Sequence, residues 1–62
     1  KNTEVAAIKA ESYFILGRIA QERADYDNAF SLYSRAVELA PEHALALYGL
    51  GQMYIHKNEL DK

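Results

Sequence analysis

Apolar residues fall along this chain at intervals of three and four, the spacing of one face of an α-helix. Tyr13, Leu16, Gly17 and Ala20 form one series. Ala29, Phe30, Tyr33, Ala36, Val37 and Ala40 form a second, and Leu47, Leu50, Gly51 and Tyr54 a third. No stretch alternates in the period of two that a strand needs. The fold class is therefore all-α, with three helices. The first should start at Thr3, with Glu4 in its first turn, and run unbroken to Arg23, about 20 residues. A turn falls near Ala24-Asp25, where Asp25 is placed to cap the second helix and Asp27 adds favourable charge to its first turn. Pro41 lacks an N–H and disfavours helix at Ala40, so the second helix should stop there. The third should run from Glu42 or His43 to Lys57 and end on Asn58 in a left-handed conformation. Glu59 to Lys62 would then be the first turn of a fourth helix.

The pattern also repeats. Leu16-Gly17 recurs as Leu50-Gly51, 34 residues on, and at the same offset Ala10 meets Ala44, Phe14 meets Tyr48 and Ile19 meets Met53. A 34-residue period marks a solenoid built of helix–turn–helix units. Glycine inside a helix costs about 1 kcal/mol relative to Ala, so two at the same phase need a reason. Gly17 would let the first two helices approach closely, with Ala29 opposite, and Ala36 would do the same between the second and third. Tyr13, Leu16, Tyr33 and Tyr54 would fill the space around these contacts.

The series Tyr13-x2-Leu16-Gly17-x2-Ala20, then Ala29-x3-Tyr33, Ala36 and Pro41, resembles the tetratricopeptide repeat. One complete repeat would cover residues 10–43, with residues 1–9 extending its first helix. A second, truncated repeat would cover 44–62, opening with Leu47-x2-Leu50-Gly51-x2-Tyr54. The family prefers Trp where Tyr13 and Leu47 stand, and Tyr where Ala20 stands. The resemblance implies an α-solenoid fragment that binds other proteins along a concave face lined by the first helix of each repeat. Its groove positions fall on Glu11, Phe14, Arg18 and Gln21, and then on Leu45, Tyr48, Gln52 and Ile55. Neighbouring helices could equally cover Phe14, Leu45 and Ile55. The clamp by which co-chaperones of this family hold an acidic C-terminus is absent, because Phe14 and Arg18 replace its first Lys and Asn and Gly49 replaces a second Asn.

A narrower likeness rests on Asn2-Thr3-Glu4-Val5, Asp25-Tyr26-Asp27 and above all Gly49-Leu50-Gly51-Gln52-Met53-Tyr54. These resemble family members that serve as scaffold subunits of a nuclear transcription-elongation complex. That likeness implies partners among the other subunits of a multiprotein complex, and a nuclear location. The alternative is a generic or designed peptide-binding module unrelated to transcription, cytoplasmic or nuclear.

Composition narrows the chemistry. The 62 residues carry 7 Lys+Arg against 9 Asp+Glu, a net charge of -2, and half are hydrophobic. The basic residues are scattered from Lys1 to Lys62 without the stripe a nucleic-acid surface needs, so no direct nucleic-acid contact is expected. No apolar run reaches the ~20 residues of a membrane helix. Polar Asn2, Thr3 and Glu4 do not resemble a leader, so secretion is not expected. Cysteine is absent. His43 and His56 lack the close helical spacing of zinc ligands, Ser12, Ser31 and Ser34 have no adjacent base, and the glycines lie inside helices rather than in a phosphate loop. Glu22, Asp25, Glu38 and Glu42 alternate with Arg18, Arg23 and Arg35, which suits a salt-bridged surface with Arg35 and Glu38 as one pair. No enzyme activity, metal or cofactor is expected. A chain of this size buries only ~60% of its surface, and solenoids need about three repeats. Leu47, Leu50 and Tyr54 at one end and Val5, Ile8 and Ile15 at the other would be left uncovered, which favours self-association of the isolated fragment.

Overall fold

A computed structural model describes the backbone over residues 2–61 and the side chains over 4–57. It contains three α-helices: α1 (Asn2–Glu22), α2 (Tyr26–Leu39) and α3 (Ala44–Asp61). The molecule measures 44 × 19 × 13 Å, with α2 packed along α1 and against α3 while α1 and α3 touch over a short stretch.

The α1–α2 turn closes in a way that spacing alone does not reveal. Asp25 N–H donates to the Ala20 carbonyl at 2.8 Å and Ala24 N–H to the Gln21 carbonyl at 2.9 Å. This paired closure leaves Ala24 in the left-handed region at φ 63°. Glycine is the usual occupant of that position, and a side chain there costs ~1–2 kcal/mol. Asp25 does stand at the start of α2, but its carboxylate makes no capping bond to the helix backbone. It accepts instead from the Asn28 side-chain amide at 2.7 Å, correcting the expected cap.

Helix α2 stops at Leu39, where Pro41 was expected to stop it. His43 then starts α3. Its ring Nδ1 accepts from the Ala46 N–H at 3.2 Å, satisfying one of the free donors of the first turn. Helix α3 does not end on Asn58. It continues to Asp61, so Glu59 to Asp61 belong to α3 and not to a new helix. Asn tolerates helix at a few tenths of a kcal/mol, and no Gly or Pro lies in this stretch to force an exit.

The core is built largely of small residues. Ala10, Ala20, Ala29, Ala36, Ala40 and Ala46 are buried together with Phe14, Tyr33 and Met53. Small side chains let helix backbones draw together, and Tyr33 and Met53 supply the bulk. Leu16 and Tyr54 were expected to add to this filling, but they stay 50% and 55% exposed. Leu16 projects from α1 with half its surface open, and Tyr54 touches α2 only along one side, where its ring meets Phe30 edge-on at 5.2 Å between centres. Val5, Ile8, Ile15 and Leu47 are likewise exposed, while Leu50 is half-buried against the core. Gly17 also departs from expectation, because the group opposite it is the Tyr33 ring and not Ala29. On the outer surface Arg35 pairs with Glu38 at 3.5 Å, and Tyr26 stacks on His56 at 4.5 Å between ring centres.

Candidate functional site: the cleft between α1 and α3

Tyr33 is 1% exposed and enters from α2 between the other two helices. A Cβ built on Gly17 would lie 2.8 Å from Tyr33 Cδ1 and Cε1, and one built on Gly49 would lie 2.8 Å from Cε1 and Cζ. The ring is thus held between two backbones that lack side chains, one on α1 and one on α3. Its hydroxyl donates to Gln21 Oε1 at 2.7 Å. Burial raises the Tyr33 pKa above the ordinary tyrosine value, with Arg18 opposing that shift and Glu22 adding to it. The hydroxyl is therefore protonated at neutral pH and acts as a donor.

Above this ring lies a cleft of about 310 Å³, lined by Phe14, Arg18, Gln21, Tyr33, Leu45, Tyr48, Gly49 and Gln52. Phe14 forms one edge. It sits 5.9 Å from the Tyr33 ring and 5.2 Å from the His43 ring. His43 Nε2 in turn lies 2.9 Å from Glu11 Oε1, so His43 joins the start of α3 to the middle of α1. With Nδ1 accepting from Ala46, the proton of the neutral ring sits on Nε2 and is donated to Glu11.

Six of the eight groove positions taken from the sequence meet in this cleft: Phe14, Arg18, Gln21, Leu45, Tyr48 and Gln52. They divide by exposure. Phe14 is only 8% exposed and is mainly core, whereas Tyr48 is 69% exposed and Leu45 is 60% exposed. Glu11 lines an adjoining hollow with Ile15, Ile19 and Glu22 and is engaged by His43. Ile55 is exposed on α3 and lines neither hollow. Sequence spacing missed Tyr33 as the floor and Gly49 as the opening. Gly49 lies off the 34-residue period, so the only signal was a second glycine two residues before the periodic one.

The tetratricopeptide repeat family matches residues 20–62, from the end of α1 through α3. The chain belongs to the tetratricopeptide repeat family. Among curated proteins it is similar to the RNA polymerase-associated protein CTR9 of Caenorhabditis elegans, 44% identical over 57 residues. The similarity spans 90% of this chain but only 5% of that relative's length. No solved structure matches the chain at a significant level. Gly17 and Gly51 are the periodic glycines of the repeat, and Gly49 falls outside that period, opposite Ile15 at the 34-residue offset. No helix among the described residues is long and apolar enough to cross a membrane.

Proposed function

We propose that this chain is part of a non-enzymatic scaffold that holds other proteins in a nuclear transcription-elongation complex, with the α1–α3 cleft as its docking surface. The observation that carries the docking reading is the cleft itself. It sets exposed Tyr48 and Leu45 beside Arg18, Gln21 and Gln52 over the buried Tyr33 ring. An apolar cleft with a few convergent polar groups is the usual form of a recognition site. Likeness to an RNA polymerase-associated protein supports the transcriptional setting. Residues 10–43 serve as one complete repeat, with 1–9 extending its first helix and 44–62 opening a second. The other subunits of the complex are the partners. The two remaining groove positions, acidic Glu11 and apolar Ile55, would extend the surface beyond the cleft.

The test is made in the full chain. Tyr48→Ala should reduce co-purification of RNA polymerase-associated proteins without changing the melting curve. Met53→Ala, which removes a fully buried side chain, should lower stability by about 2–5 kcal/mol. If Tyr48→Ala unfolds the protein as readily as Met53→Ala, or leaves co-purification untouched, the cleft is not the docking surface.

A further inference from the structure

On its α1 side the cleft offers mainly donors, which deepens the docking reading above and rests on it. Tyr33 donates to Gln21 Oε1 at 2.7 Å, which engages the acceptor end of that amide and leaves its nitrogen with two N–H donors to offer. Arg18 precedes Gln21 by three residues, on the same face of α1, and its guanidinium donates only. Across the cleft the Gln52 amide, which can donate or accept, makes no hydrogen bond to another described residue. Arg18 is the one lining residue with a formal charge. The carboxylates Glu11 and Glu22 line the adjoining hollow on the other side of Arg18, and Glu11 is occupied by His43. Beside these donors lies the apolar surface of Leu45 and Tyr48.

We infer that the cleft selects an extended protein segment carrying an Asp or Glu side chain next to an apolar residue. The carboxylate sits between Arg18 and Gln21, and the apolar side chain lies on Leu45 and Tyr48. A Gln21 amide held in place by Tyr33, beside a cation, favours an acceptor that makes charge-assisted bonds, and a guanidinium can hold a carboxylate through two parallel bonds. A carboxylate fits better than a phosphate because a dianion would meet a single cation, with Glu22 near enough to act on the Tyr33 hydroxyl. The acidic group is an internal side chain rather than a chain terminus.

Selection from a random peptide-display library with blocked termini, using the full chain as bait, tests this. The expected winners place Asp or Glu beside an apolar residue. Titration of one such capped peptide should show binding weakened about tenfold by Glu→Gln in the peptide, and similarly by Arg18→Gln in the protein. Applying both changes should cost little more than either alone, and Arg18→Lys should restore part of the preference. Winners that are apolar without acidic enrichment, yet lost on Tyr48→Ala, would overturn the carboxylate assignment and leave the docking reading standing. No enrichment at all, or enrichment insensitive to Tyr48→Ala, would remove both.

Discussion

Gly17 and Gly51 stand at the same point of the repeat, 34 residues apart, in the last third of α1 and near the middle of α3. A side chain at Gly17 would run into the Tyr33 ring, whereas one at Gly51 would meet nothing within 4 Å. The difference lies in what covers each helix. The Gly17 face of α1 receives a side chain from α2. The Gly51 face of α3 carries half-exposed Leu47 and Tyr54, and α2 reaches it only at its edge, where Phe30 meets Tyr54 and leaves the space over Gly51 open. The cost of glycine in a helix, about 1 kcal/mol, is offset at 17 by close approach and is not offset at 51. The same motif position therefore serves a close contact at Gly17 and none with a described residue at Gly51.

The comparison can be broken most forcefully at the ring itself. Tyr33→Ala should cost about 3–5 kcal/mol in denaturant unfolding, since it empties the space between Gly17 and Gly49. A smaller loss would mean that α1 and α3 collapse onto the vacancy and that the glycines are not the limit of approach.

The glycines themselves should respond with opposite signs. Gly17→Ala should destabilise by ~1–3 kcal/mol, because the new methyl group meets a ring held from both sides. Gly51→Ala should stabilise the same chain by about 1 kcal/mol through helix propensity alone. Thermal melts of the two variants side by side decide the matter, and shifts of the same sign would end the contrast.

Smaller effects sharpen the same comparison at the turns. Ala24 and Asn58 are also 34 residues apart, yet Ala24 is left-handed where α2 folds back and Asn58 lies within α3. Ala24→Gly should raise stability by about 0.5–1 kcal/mol, the ~1–2 kcal/mol of relieved strain less the greater freedom of glycine in the unfolded chain. Asn58→Ala should raise it by a few tenths of a kcal/mol, about what helix propensity supplies, visible as a small gain in helical circular dichroism. A loss in the second case would mean that Asn58 already has a turn-forming role in this chain.

Local rules made three helices, the stop before Pro41 and the core positions Ala29, Tyr33 and Ala36 legible in advance, since spacing and a missing N–H act within one turn. The left-handed Ala24 was not legible, because the closure of α2 onto α1 imposes a conformation that Ala would not choose alone. Nor was the exposure of Leu16, whose motif position says that something covers it but not that α2 does. Six groove positions met in one cleft because period and helix face place them together. Ile55 lies one turn further along α3 and missed it. Gly49 and His43 were missed for another reason: their partners, the Tyr33 ring and Glu11, lie on other helices, 16 and 32 residues earlier in the chain.

The grip on Tyr33 has a consequence for motion. A buried aromatic ring can turn over about its long axis only when its surroundings swell for an instant. Here that requires α1 and α3 to part at Gly17 and Gly49 while the hydroxyl stays tethered to Gln21. The two sides of the ring should therefore give separate signals in nuclear magnetic resonance, instead of the averaged pair seen for a freely turning tyrosine. The temperature at which those signals merge would time the opening of the cleft from beneath, with no ligand bound above it.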